Sequence, residues 1–291
     1  MPCLDMAIFE GFLAEAHPWL AALDEDPSQL VEHIKNTPRH NRLGLYYEAL
    51  LSFWFQNNAP WELLAHELPV YDGKRTLGAF DFLLGTEQGV VHVEVAIKYY
   101  LGVDGGLVTG ADWFDWIGPR QKDSLGRKLN KMLEKQLLLS EHPCGQEALA
   151  KAGIPKPVDK KLWFKGIYFR PHDSDPQCKP DQATTAAGIW IPISKLHDFQ
   201  ATTPQALWLP RIKPDWLAQL FFTTPPEHAV SGAQLTARAQ AQWPASDPQP
   251  LMWSRLEKEG NFWLESLRVF VVPDDWLERA QNLSRGPIKS A

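Results

Sequence analysis

Four polar side chains stand at positions whose flanks call for burial: Glu48, Asp81, Glu94 and Lys98. A carboxylate buried without a partner costs several kcal/mol, so a metal ion or a fixed cation is the expected compensation at each acid. Three acids followed by a lysine fit metal-assisted phosphodiester chemistry. Mg²⁺ is a hard cation that takes a few carboxylate oxygens plus waters, and Asp81 with Glu94 on adjacent strands would supply them. Such a metal acidifies or positions the attacking water. A lysine then orients that water or neutralises the scissile phosphate, and Glu48 holds the lysine or a second metal.

Each position also has a plainer reading. Glu48 is the only charged residue between Leu43 and Trp61, with Leu45, Leu51 and Ser52 one turn away. By itself it fits a single tertiary ion pair. Strand alternation places Ala79, Asp81 and Leu83 on one face and Phe80, Phe82 and Leu84 on the other. Aspartate is a poor strand former, so Asp81 there calls for a metal or a bulge, or else a solvent-facing edge. In the next strand Val91, Val93, Val95 and Ile97 face one way and His92, Glu94, Ala96 and Lys98 the other. Glu94 and Lys98 are then about 13 Å apart at Cα, a gap that the long lysine stem partly spans. A half-exposed amphipathic strand gives the same pattern, and His92 reads as a packing or surface residue.

These groups need a scaffold. A strongly apolar helix is expected from Arg42 to Phe55, ended by Asn57-Asn58-Ala59-Pro60. Three strands follow, Glu67 to Tyr71, Leu77 to Leu84 and Val90 to Tyr100, with Asp72-Gly73 and the Gly85 to Gly89 segment as turns. Residues 101 to 122 lack periodicity and read as a long loop or lid. An amphipathic helix is expected from Asp123 to Ser140, then strands over Leu162 to Phe169 and Gly188 to Ile193. The order is α-β-β-β-α-β. Residues 1 to 40 form a helical lead-in, 41 to 198 the core, and 199 to 291 a proline-rich extension packed on it, with strands at Leu251 to Leu256 and Phe262 to Val272.

In this order the chain resembles the PD-(D/E)XK, or restriction-endonuclease-like, superfamily. More narrowly it resembles an uncharacterised bacterial domain family within that group. The matching blocks are Arg42-Leu43-Gly44-Leu45-Tyr46-Tyr47-Glu48, Leu77-Gly78-Ala79-Phe80-Asp81-Phe82, His92-Val93-Glu94-Val95-Ala96-Ile97-Lys98, and Gly118-Pro119-Arg120 through Asp123-Ser124-Leu125. The resemblance implies an α/β core with a mixed central sheet flanked by helices. It also implies Mg²⁺- (or Mn²⁺-) dependent cleavage of a phosphodiester bond in DNA, less readily RNA. Asp81, Glu94 and Glu48 then match the metal-binding acids and Lys98 the lysine. The usual acid-x-lysine is replaced by Glu94-x-x-x-Lys98, with Ala96 where lysine is expected. That departure motivates the alternative of a catalytically silent module of the same fold that binds nucleic acid or a protein partner. A third possibility is that the four groups form a buried ion-pair cluster.

Composition narrows the partners. A net charge of −6 argues against a protein coated in nucleic acid. Locally, Pro119 to Gln136 holds six basic residues against two acids, a net +4. Arg120, Lys122, Lys128 and Gln136 are accordingly candidate nucleic-acid contacts, although a solvated helix face gives the same charge pattern. Thirteen tryptophans, Trp113 and Trp116 among them, offer stacking surfaces or ordinary packing. With 44% hydrophobic residues the chain fills a core without staples. Cys3, Cys144 and Cys178 lack metal-ligand spacing, and no signal peptide or membrane-length apolar run is read, so a cytoplasmic setting is expected. A dimer would suit cutting of two strands, and no interface pattern is read. The segment Gly102 to Gly110 lacks the lysine of a P-loop, and no nucleophile elbow surrounds Ser52 or Ser124.

Overall fold

A computed structural model describes residues 6–37, 42–103, 113–174, 188–243 and 248–284. Among them the chain is a mixed α/β protein with eight α-helices and eleven strands of parallel and antiparallel pairing. In chain order the helices are α1 (Met6–Glu25), α2 (Ser28–Asn36), α3 (Leu43–Asn57), α4 (Leu125–Lys131), α5 (Pro143–Lys151), α6 (Ile193–Ala201), α7 (Gly232–Ala241) and α8 (Trp276–Ser284). The strands are β1 (Glu62–Asp72), β2 (Arg75–Thr86), β3 (Gly89–Gly102), β4 (Trp116–Ile117), β5 (Asp159–Pro171), β6 (Gly188–Pro192), β7 (Leu207–Arg211), β8 (Phe221–Phe222), β9 (Val230–Ser231), β10 (Leu251–Glu259) and β11 (Phe262–Val272). No helix among the described residues is long and apolar enough to cross a membrane.

The chain divides into two interleaved units, Met1–Lys98 with Leu129–Lys165, and Tyr99–Lys128 with Gly166–Ala291. In the first unit β1 pairs antiparallel with β2, and β2 antiparallel with β3. Gly73, at φ 58°, supplies the left-handed turn between β1 and β2 that the Asp72-Gly73 dipeptide promises. One side of these strands packs on α3, where Leu51 and Phe55 meet Phe82, Leu84, Val93 and Val95. The other side buries Val70, Phe80, Leu83 and Val90 against Leu139 and Leu149. Gly145 lets α5 approach closely, because a Cβ there would collide with the Leu139 carbonyl oxygen.

In the second unit β6 pairs parallel with β5 and with β11, β10 lies antiparallel between β11 and β7, and β9 pairs with β7. Helices α6 and α7 cover a core of Ile191, Trp208, Trp253, Val269 and Val271. Beneath it Arg211 and Arg268 converge on Glu265: Arg211 donates to Glu265 Oε1 at 2.8 Å, and Arg268 to Oε2 at 2.9 Å. The two guanidiniums also donate to the Ala218 carbonyl, so one carboxylate and its arginines fix the turn that leads to β8.

Three sequence expectations need correction. The helix expected from Asp123 to Ser140 is broken: α4 gives way to a π-helical turn at Met132–Gln136 and a 3₁₀ turn at Leu139–Glu141. Of the loop expected at 101 to 122, positions 104–112 lie outside the described residues, but Leu101 and Gly102 belong to β3 and pair with Ile117 and Trp116 of β4. Trp116 is consequently a buried packing residue, at 5% exposure, and not a stacking platform. Beyond residue 199 the prolines do not exclude regular structure: Pro210 lies within β7, opposite Trp253, Pro214 within a 3₁₀ turn, and α7 and α8 form as well.

Candidate functional site

The β2–β3 ladder runs from Thr86↔Gly89 to Phe82↔Val93. The next residue, Asp81, turns its carboxylate toward β3, where Oδ2 accepts the Val95 N–H at 2.9 Å. On the other side of β2, the β1 register steps from His66↔Phe82 to Leu68↔Phe80. The β1 residue between them, Glu67, is in the left-handed region at φ 52°, a conformation that costs about 1 kcal/mol or more for a residue with a side chain. The pleat is therefore irregular around Asp81. Phe80 leaves the face expected from alternation and joins Leu83, while Phe82 and Leu84 stay with α3. The β1–β2 register itself stays continuous opposite Asp81, its shifts lying at Leu63/Ala65 and Val70/Tyr71.

Glu94, one residue before Val95, is fully buried at 0% exposure. Both carboxylate oxygens have donors: His92 Nε2 meets Oε1 at 2.8 Å, and Gln136 Nε2 donates to Oε2 at 2.6 Å. A carboxylate only accepts, so Nε2 carries the imidazole hydrogen and Nδ1 is left as an acceptor. Nδ1 is buried, with no hydrogen-bond partner among the described residues. Burial lowers the imidazole pKa to about 4; the negative charge of Asp81 works against that shift and the charge of Lys160 adds to it. His92 is thus a neutral donor at pH 7, packed edge-on against Phe80 with ring centroids 4.8 Å apart.

Gln136 reaches Glu94 from the π-helical turn, closed by Leu137 N–H donating to Met132 O at 2.9 Å. A turn with an i→i+5 bond is uncommon and recurs at functional positions. Lys98 is half-buried on β3, on the alternation shared by His92, Glu94 and Ala96. Glu48 is half-buried on α3, its Oε1 3.9 Å from where a Cβ on Gly44 would lie, so the carboxylate leans back over the preceding turn. Gln136, a candidate nucleic-acid contact, donates to Glu94; Arg120, Lys122 and Lys128 belong to the second unit. His92, read from sequence as a packing or surface residue, is a hydrogen-bonding partner of the central acid. The signal was its i, i+2 spacing from Glu94 on one strand face.

The donor types suit Mg²⁺ or Mn²⁺. No group of three or more His, Cys, Asp or Glu among the described residues is arranged as a metal cage. Mg²⁺ does not need one, since it is commonly held by one or two carboxylates with waters and substrate phosphates completing the shell. Each carboxylate has about four lone-pair sites. An ion there would share these carboxylates with the hydrogen bonds that Asp81 and Glu94 already accept.

A family model described as a domain of unknown function, DUF1853, matches residues 5–272. The chain belongs to that family. No curated protein and no solved structure matches the chain.

Proposed function

We propose that this member of the DUF1853 family carries, in its first unit, a phosphodiester-cleaving site of the PD-(D/E)XK kind that acts on nucleic acid, DNA ahead of RNA. The observation that supports this reading is that the carboxylate of one strand acid reaches the backbone of the strand that carries the other. The Asp81 carboxylate is pinned to Val95 N–H, one residue beyond the buried Glu94. The chain order α3, β1, β2, β3, β4, α4, α5, β5 supports the reading in that it contains the succession α-β-β-β-α-β, with β4 and α5 interposed. Asp81 and Glu94 would hold Mg²⁺ or Mn²⁺, with Glu48 as the third acid. The bound metal supplies an acidified water and offsets charge that builds on the phosphoryl oxygens. The chain's own residues do the rest. His92 and Gln136 fix the two oxygens of Glu94, so the carboxylate has its orientation before substrate arrives. Lys98 supplies positive charge to the scissile phosphate or to the attacking water.

One observation favours a second reading, a silent module of the same fold. Glu94 is fully buried with both oxygens engaged by neutral donors, and Ala96 occupies the place of the usual lysine. Calorimetric titration with Mn²⁺ and cleavage assays on single-stranded, duplex and branched DNA and on RNA separate the two. The cleavage reading expects metal binding and turnover in wild type and loss of both in Asp81→Asn and in Glu94→Gln. The Asn amide oxygen still accepts from Val95 N–H, so that fold is retained. Turnover that persists in both variants refutes the site, and nucleic-acid binding without turnover in any divalent metal selects the silent module.

A further inference from the structure

The second unit carries a basic loop whose shape is fixed independently of the acid site. Ile117 bridges Ser124 across the loop at 118–123, and inside it Gly118 N–H donates to Asp123 O at 2.9 Å and Gln121 N–H to Gly118 O at 2.7 Å. Gln121 is left-handed at φ 57°. A residue with a side chain keeps that conformation only where its surroundings determine it. Here they do so from both sides: Gln121 Nε2 donates to Trp276 O at 2.7 Å, and Trp276 Nε1 donates to Pro119 O at 2.8 Å. Trp276 is itself buried at 1% exposure, so the loop is tied to a fixed post.

The fixed backbone sorts the loop's charges. Arg120 and Lys122, on either side of Gln121, are exposed. The Asp123 carboxylate turns inward against Gly118, in the space a Cβ would occupy. Arg127, at the start of α4, is exposed as well. Among the described residues none of these three cations forms an ion pair. Three exposed, unneutralised cations stand out in a chain of net charge −6.

An aromatic surface adjoins them. Phe114 packs on Gly126, where a Cβ would come within 2.8 Å of its ring, and this holds the Trp113–Asp115 turn against the residue preceding Arg127. Trp113, next to Phe114, is 39% exposed. Cations without partners call for an anionic ligand, and the tryptophan beside them calls for one with a planar apolar face. A nucleic-acid strand has both in alternation, a phosphate and a base. In a duplex the base faces are stacked on one another, so only an unpaired strand offers them.

We infer that Arg120, Lys122, Arg127 and Trp113 form a single-stranded nucleic-acid binding surface, with phosphates on the three cations and a base stacked on Trp113. The inference rests on the nucleic-acid reading above for its substrate class. Its geometry lies wholly within the second unit.

The test uses the full chain in EDTA, with anisotropy of labelled 20-residue oligo(dT), oligo(U) and a duplex of the same length, from 50 to 200 mM NaCl. Wild type should bind the single strands more tightly than the duplex. The triple variant Arg120→Ala, Lys122→Ala, Arg127→Ala should flatten the log–log salt slope by about 2, at roughly 0.7 per lost phosphate contact. Trp113→Ala should weaken single-strand binding by about 5-fold or more, and Trp113→Phe should restore most of it. The positions are exposed, so wild-type melting temperatures accompany these changes. No binding by wild type, an unchanged slope in the triple variant, or equal affinity for duplex with a neutral Trp113→Ala overturns the inference. Because EDTA silences cleavage, the two readings fail separately. Variant-sensitive binding without turnover in any metal sinks only the cleavage reading, and turnover with variant-insensitive binding sinks only this surface.

Discussion

Acidification should act on the first unit through His92, and the expected size follows from its surroundings. The ring is fully buried, and burial depresses its pKa from 6.5 to about 4. A histidine lowered in the folded state gives stability that is fully present above its unfolded pKa. That stability is lost as pH falls from 6.5 toward 4, because over that window the unfolded chain binds a proton that the fold refuses. The whole gap is worth about 3 kcal/mol, of which about 2 kcal/mol is gone by pH 5. Two measurements check this. Long-range ¹H–¹⁵N correlation spectra should show the Nε2–H tautomer at pH 7 and a ring titration midpoint near 4. Native-state hydrogen exchange at β3 amides should then compare wild type with His92→Gln at pH 7.5 and 5. Glutamine keeps an N–H for Glu94 and does not titrate. The stability difference between the two proteins should therefore shrink by about 2 kcal/mol on acidification. A ring that titrates at or above 6.5, an Nδ1–H tautomer, or a difference independent of pH would refute the assignment of His92 as a neutral donor.

Other perturbations test the remaining contacts. Gln136→Leu removes the donor on Glu94 Oε2 inside a buried site and should destabilise the first unit by about 1–3 kcal/mol, read as a lower melting temperature; an unchanged melting temperature would mean that the bond does not form in solution. In the second unit Arg211→Met strands part of the Glu265 charge, whose side chain is only 4% exposed. Arg268 remains beside that carboxylate, so the loss expected in urea denaturation is near 3 kcal/mol, the lower end for breaking a buried pair. Gly145→Ala places a methyl against the Leu139 carbonyl oxygen and should cost about 1–3 kcal/mol, whereas a neutral result would show that α5 shifts freely.

Hydrophobic alternation was sufficient to find β2, β3 and the shared face of His92 and Glu94, because a regular pleat repeats every two residues. It was insufficient at Phe80, which crosses to the opposite core from Phe82. Nothing in the residue types near Glu67 announces a left-handed backbone, and that conformation depends on how β1 meets β2. Helical period located Gln136 on an element after β3, but an i→i+5 turn widens the spiral and cannot be told from an α-turn by residue pattern alone. The interleaving of the two units was also hidden. It arises because β3, α4 and β5 each run from one unit into the other without a break in periodicity at Lys98, Lys128 or Lys165.

Where alternation fails is informative in itself. In a regular β2–β3 ladder Asp81 would sit opposite Glu94 and the two carboxylates would repel across the strands. The irregular pleat lets Asp81 turn onto Val95 N–H, while Glu94 takes its hydrogen bonds from His92 and Gln136 on the other core face. Asp81 thus accepts a backbone N–H from the strand that carries Glu94, and Glu94 accepts from two neutral side chains. Evolution of a merely stable core would favour apolar residues at these positions, since a well-packed hydrophobic substitute is often as stable as a buried charged group. The local rule is broken beside Asp81, with added backbone strain at Glu67. Strain and buried charge of this kind collect at functional positions, which is what the proposed reading of this site predicts.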